Sequence, residues 1–262
     1  MADLRNYQAR TATVGSRADA AIDEGLRSYM LRVYNLMALG LAITGVAALG
    51  TVSLATTGDP SAAVAALGNG KLLTSFGAAI YGSPLRWVVM LAPLAAVFFL
   101  SFRVHKMSVA AAQATFWAYA ALVGISLSSI FLVYTTGSIV QTFFITAASF
   151  GALSLWGYTT KRDLSGMGSF LFMGLIGLII AMVVNIFLAS SALQFAISGI
   201  GVLIFAGLTA FDTQKIKVDY VQHAQAMDGE WLAKSAIMGA LNLYLDFINL
   251  FMFLLQFLGS RE

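Results

Sequence analysis

The chain has no cysteine, which removes disulfides, thiolate metal sites and thiol catalysis in one step. It has two histidines, His105 and His223, and neither lies inside an apolar run. That argues against a zinc enzyme built on a two-histidine helix. Only 10% of the 262 residues are charged, against about 25% in a soluble domain. Residues 1–25 are polar and mixed in charge, without the apolar core of a signal peptide. Insertion through the first spanning helix, without cleavage, is therefore expected. No basic stretch is interleaved with aromatics, so nucleic acid is not an expected partner.

What remains is apolar. Hydrophobic residues make up 59% of the chain, and the mean hydropathy is +0.83. A spanning helix needs about 20 mostly apolar residues. Seven segments qualify: 33–55, 85–103, 109–134, 138–160, 168–189, 192–212 and 236–258. The fold class expected is an all-α membrane protein, a seven-transmembrane-helix bundle over 30–262 behind a tail at 1–29. Twelve of the fifteen basic residues fall in the tail and in alternate loops, including Arg103, Lys161, Arg162, Lys215 and Lys217. Only Lys71, Arg86 and Arg261 fall on the other side. This asymmetry predicts a cytoplasmic N-terminus and an outside C-terminus. The lack of cysteine, of a cleavable signal and of long soluble domains favours a bacterial cytoplasmic (inner) membrane.

The connecting segments are read more coarsely. In 18–33, Ile22, Leu26, Met30 and Val33 recur at helical spacing opposite Asp23, Glu24 and Arg27. An amphipathic helix on the inner surface and an unstructured tail both fit. Segment 56–84 reads as an outer loop, broken at Gly68-Asn69-Gly70 too soon to span. Segment 213–235 reads as a solvated connector. Gly174, Gly177, Gly199, Gly201 and Gly207 are expected to serve helix packing. Pro93 is expected to bend the second helix.

Two carboxylates stand out. Asp212 ends the sixth apolar segment, and Asp246 lies in the middle of the seventh. A carboxylate at the centre of a span costs about 2.5–3.5 kcal/mol on insertion scales, so its default reading is functional. Asn242, Asp246 and Asn249 fall at i, i+4 and i+7, with Gln256 a further turn pair along. On the sixth helix Ser198, Phe205, Thr209 and Asp212 share a face. Two carboxyls meeting in low dielectric cannot both ionise cheaply and would share a proton. Arg103, ending the second helix, is the best-placed cation to pair with one of them; read alone, it is an ordinary positive-inside anchor. Oxygen ligands suit hard cations such as calcium, but two carboxylates fall short of its usual six to eight oxygens. Binding at Asp212 and Asp246 would be weak and transient, with no tightly bound cofactor.

Three blocks carry a resemblance: Phe211-Asp212-Thr213-Gln214-Lys215-Ile216-Lys217, Leu243-Tyr244-Leu245-Asp246-Phe247-Ile248-Asn249-Leu250-Phe251, and Lys161-Arg162-Asp163-Leu164. Over residues 30–258 the chain resembles the transmembrane Bax-inhibitor-motif family. The resemblance implies a proton-regulated calcium leak with Asp212 and Asp246 as the sensor. It also implies an arginine latch, which falls on Arg103, and a membrane protease as a partner of some members. Two alternatives stand beside the channel. One is a non-catalytic regulator that binds a protease or stress-response partner. The other is an intramembrane aspartyl protease, against which counts the absence of a Gly-x-Gly-Asp motif at either aspartate. The chain is thus read as a non-enzyme.

Overall fold

A computed structural model describes residues 2–223, 226 and 228–261, without the side chains of 2–22 and 105. The tail arginines Arg5, Arg10 and Arg17, with Ile22, therefore lie outside the described side chains. Seven long helices run α1 (Ala2–Ala55), α2 (Leu85–Arg103), α3 (Val109–Leu127), α4 (Thr136–Thr159), α5 (Ser165–Leu188), α6 (Ser191–His223) and α7 (Gly229–Leu258). A one-turn helix at Ile130–Val133 prolongs α3. Ser128 and Ser129 interrupt it, because their hydroxyls bond the carbonyls of Ile125 and Ser126 three residues back. All seven are long and apolar enough to cross a membrane.

The bundle is organised around α7, which packs against α1, α3, α4 and α6. Of its most apolar 18-residue stretch, 67% is buried inside the protein, against 17% for α5 and 6% for α2. The peripheral helices explain the sequence's greasiness, since their Phe98, Phe102, Phe170 and Phe187 face outward. A close approach needs small residues. A Cβ on Gly124 would strike the Thr44 carbonyl of α1, and one on Gly157 the Ala210 carbonyl of α6. Gly201 and Gly207 likewise sit against Phe253 and Leu171, whereas Gly177 faces open space. Pro93 lies within a continuous α2.

Three expectations need correcting. First, residues 23–33 do not form a separate surface helix. They continue α1 without a break, burying Leu26, Met30 and Val33, and Tyr29 stacks on Tyr220 of α6 at 4.7 Å. Second, 213–235 is not a loop. Helix α6 runs on to His223, and α7 starts at Gly229 with Asp228 accepting the Trp231 N–H at 2.8 Å. The charges there mark where the helices leave the apolar layer, while buried Thr213, Ile216, Ala233 and Ile237 keep them packed. Third, the 56–84 segment is folded: strands β1 (Thr56–Thr57), β2 (Ala65–Ala66) and β3 (Leu72–Leu73) form an antiparallel sheet in the order β1-β3-β2. Asn69 and Lys71 pin it down by donating to the carbonyls of Leu132 at 2.8 Å and Phe131 at 2.6 Å. This cap lies at the end of the bundle opposite the basic loops, which are called the basic end below.

Candidate functional site

The extension of α6 brings the two aspartates together. Asp212 now has eleven helical residues beyond it, and Asp246 is seventeen residues into α7. The antiparallel helices therefore cross with the two carboxyls hydrogen-bonded to each other. Asp246 is 4% exposed, and its Oδ2 has no hydrogen-bond partner. A buried, unpartnered carboxyl oxygen is costly, and its persistence points to use rather than packing. Among the described residues no three His, Asp or Glu side chains gather.

The surroundings are polar on the α6 side. Thr209 and Thr213 are fully buried and turn their hydroxyls back onto the carbonyls of Phe205 and Thr209, at 2.8 and 2.7 Å. Thr213 also meets Ser154 of α4 at 2.9 Å, and Ser154 meets Tyr34 of α1 at 2.6 Å. On α7, Asn249 bonds the Leu245 carbonyl of its own helix at 2.8 Å. Asn242, one turn from Asp246, lines a cavity of about 610 Å³ between the basic-end extensions of α6 and α7. Lys215, Asp219, His223, Asp228 and Lys234 share that cavity.

Arg103 is not brought to Asp212. It is exposed at the end of α2, forms no ion pair among the described residues, and belongs to a helix packed on α3. The cation whose charge acts on Asp212 is Lys215, three residues on.

Several residues around the site were not singled out from sequence. Tyr244, fully buried, meets Thr44 of α1 at 2.6 Å; Thr44 in turn lies 2.9 Å from the Ala120 carbonyl of α3. Phe116 and Tyr119 stand edge-on to the Tyr244 ring at 5.8 Å. This rivet holds three helices together two residues before Asp246. Towards the far end of the helix pair, Gln194 of α6 donates to Gln256 at 2.8 Å and accepts from Asn185 of α5 at 3.1 Å. Gln256, expected on one stripe with Asp246, thus serves a separate amide layer. Between the layers aromatic rings pack together: Phe247 lies edge-on to Phe143 and Phe150 at 5.6 and 5.5 Å, and Phe205 stacks on Phe253 at 5.7 Å. A lone amide in an apolar run is the signal that could have found Gln194.

A sequence model of the family described as inhibitor of apoptosis-promoting Bax1 matches residues 26–262. A Caulobacter vibrioides protein is 45% identical over 263 residues, covering 100% of both chains. The Rickettsia prowazekii protein RP147 is 48% identical, over 97% of this chain and 98% of its own. The Escherichia coli inner membrane protein YbhL is 52% identical over 174 residues, 66% of this chain and 74% of its own.

Proposed function

The chain belongs to the Bax inhibitor family, and on that footing we propose that this bacterial inner-membrane protein is a proton-sensitive leak for calcium. The observation that carries the reading is the buried, hydrogen-bonded Asp212–Asp246 pair with a spare oxygen on Asp246. A hydrogen bond between two carboxyls needs a proton on one of them. While it is held, the pair is a short tie between α6 and α7. When it leaves, two carboxylates face each other in low dielectric, and a cation is the cheapest way to satisfy both. Proton and cation therefore compete for one site.

Calcium is the cation proposed, because every nearby ligand is a hard oxygen. Thr209, Asn242, Asn249 and water would complete its shell only partly, which suits passage better than storage. The cavity lined by Asn242 is the proposed vestibule at the basic end, and the twelve-to-three split of basic residues supports a cytoplasmic side for that end. The folded cap and the aromatic cluster around Phe247 lie on the far side of the pair and are the proposed barrier there. A latch from Arg103 would require α2 to re-dock towards α6. With 6% of its most apolar 18-residue stretch buried, α2 is the least enclosed of the seven helices, which supports such a movement.

The test is calcium entry into liposomes holding the full chain and an internal dye, over a pH series that spans neutrality. Wild type should show a flux that changes with pH, and Asp212→Asn or Asp246→Asn should flatten the change. If Asp246→Asn leaves both flux and its pH dependence intact, the proposal fails. Absence of flux above empty liposomes at every pH would leave a regulator that binds a protease or stress-response partner.

A further inference from the structure

A second polar cavity, of about 580 Å³, opens where α4 ends and α5 begins. Lys161, Arg162, Lys215 and Lys217 line it, against Asp163 and Asp219. Its walls are fixed. Gln214 of α6 accepts the Leu164 N–H at 2.8 Å and donates to the Arg162 carbonyl at 2.7 Å, which locks the connection onto α6. Lys217 donates to the Tyr158 carbonyl at 2.7 Å and lies over the Tyr158 ring at 5.2 Å. The Asp163 carboxyl is committed to the start of α5, accepting from the Ser165 N–H at 2.9 Å. The hydroxyl and N–H of Ser165 hold it below the usual carboxylate range. Lys161 and Arg162 are different: both are exposed, and neither forms an ion pair among the described residues. By contrast, Lys234 is bonded to Glu230 at 2.8 Å.

The cavity also sits at the edge of the apolar surface. Leu155 and Trp156 in the last turns of α4, and Phe170, Phe172 and Met173 in the first turns of α5, are exposed towards lipid. A ligand with an anionic head and apolar tails matches that sequence of surfaces, whereas a free anion would leave the apolar part unused. We propose that this cavity binds the phosphate headgroup of an anionic phospholipid from the leaflet at the basic end, with its acyl chains lying along α4 and α5. Basic pockets at this depth are attracted to such headgroups through charge and hydrogen bonding together.

The full chain, purified in mild detergent, would be titrated with phosphatidylglycerol, phosphatidylcholine and glycerol 3-phosphate. Retained lipid is read by native mass spectrometry, and protection by the thermal midpoint. Phosphatidylglycerol should be retained and protect; the other two should not. The double variant Lys161→Gln/Arg162→Gln should weaken retention by about 25-fold, at about fivefold for each basic contact. Lys106→Gln, at an exposed basic residue in the turn that follows α2 and away from the cavity, should change it by less than about twofold. Protection by glycerol 3-phosphate equal to that by the lipid would make the ligand a soluble phosphate and overturn the lipid assignment. Equal weakening by Lys106→Gln would reduce the site to diffuse surface attraction and overturn it too. A second readout needs no cavity variant. The quenching lost on Trp156→Phe should be larger with brominated phosphatidylglycerol than with brominated phosphatidylcholine, and equality contradicts the site.

Discussion

Two polar layers join α6 to α7, and they differ in what holds them. Near the basic end, Asp212 meets Asp246 through a bond that depends on a proton, and Asp246 keeps an oxygen without a partner. Ten residues further along α7, about 15 Å away, Gln256 meets Gln194, with Ser198 at 3.4 Å and Asn185 behind it. The amide layer is neutral and well partnered, so it ties the helices at any pH. The carboxyl layer ties them only while it is protonated, and repels when it is not. One helix pair therefore carries a permanent joint and a conditional one, with the aromatic rings of Phe247, Phe205 and Phe253 between them.

That contrast can be broken from either side. The largest effect is expected from Tyr244→Ala, which empties a fully buried ring and frees Thr44. It should lower stability by about 3–5 kcal/mol in thermal or denaturant unfolding, equally at low and neutral pH. Gln256→Leu strands the amide donors of Gln194; a loss of about 1–3 kcal/mol is expected, again independent of pH. Asp246→Asn keeps one hydrogen bond to Asp212 and should cost about 1 kcal/mol or less. Its signature is different: the pH dependence of calcium binding should vanish, where wild type binds more calcium as pH rises and the proton leaves. His223→Gln, in the same vestibule, is the control that separates an imidazole from the carboxyl pair. The smallest effect belongs to Arg103→Gln, within about 0.5 kcal/mol for an exposed side chain without an ion pair. A change in the pH profile of flux without a change in stability would reveal the latched state. Asp59 and Asp163 cannot supply the response. Their serine neighbours hold both carboxyls below the ordinary range, so they stay ionised throughout it.

The spans and the carboxyl pair were legible because both rest on strong rules. Twenty apolar residues must span, and a charge among them must be explained. Helix α2 begins and ends at 85–103 as read from hydropathy alone, since Pro84 precedes it and basic residues follow. The inner run of α6 was not legible. Lys215, Lys217 and Asp219 read as solvated loop, although Ile216 and Tyr220 continue the helical period. Hydropathy reports where a helix leaves the bilayer, not where it stops. That error set the two carboxyls at different depths, with Asp212 at the end of its helix, although their meeting was expected. Arg103 was assigned by its place at a helix end, which says nothing about which neighbours α2 packs against. The hydroxyl chain Tyr34–Ser154–Thr213 joins residues on three helices. No spacing rule within one segment could reveal it.

The central claim is the shared proton, and infrared difference spectroscopy of the full chain in bilayers, titrated from about pH 6 to about pH 8, measures it most directly. The account predicts one protonated-carboxyl band that titrates in wild type, is removed by calcium, and is lost or moved out of the range in both Asp212→Asn and Asp246→Asn. A wild-type spectrum with no such band, or a band that survives unchanged in both variants, would contradict it.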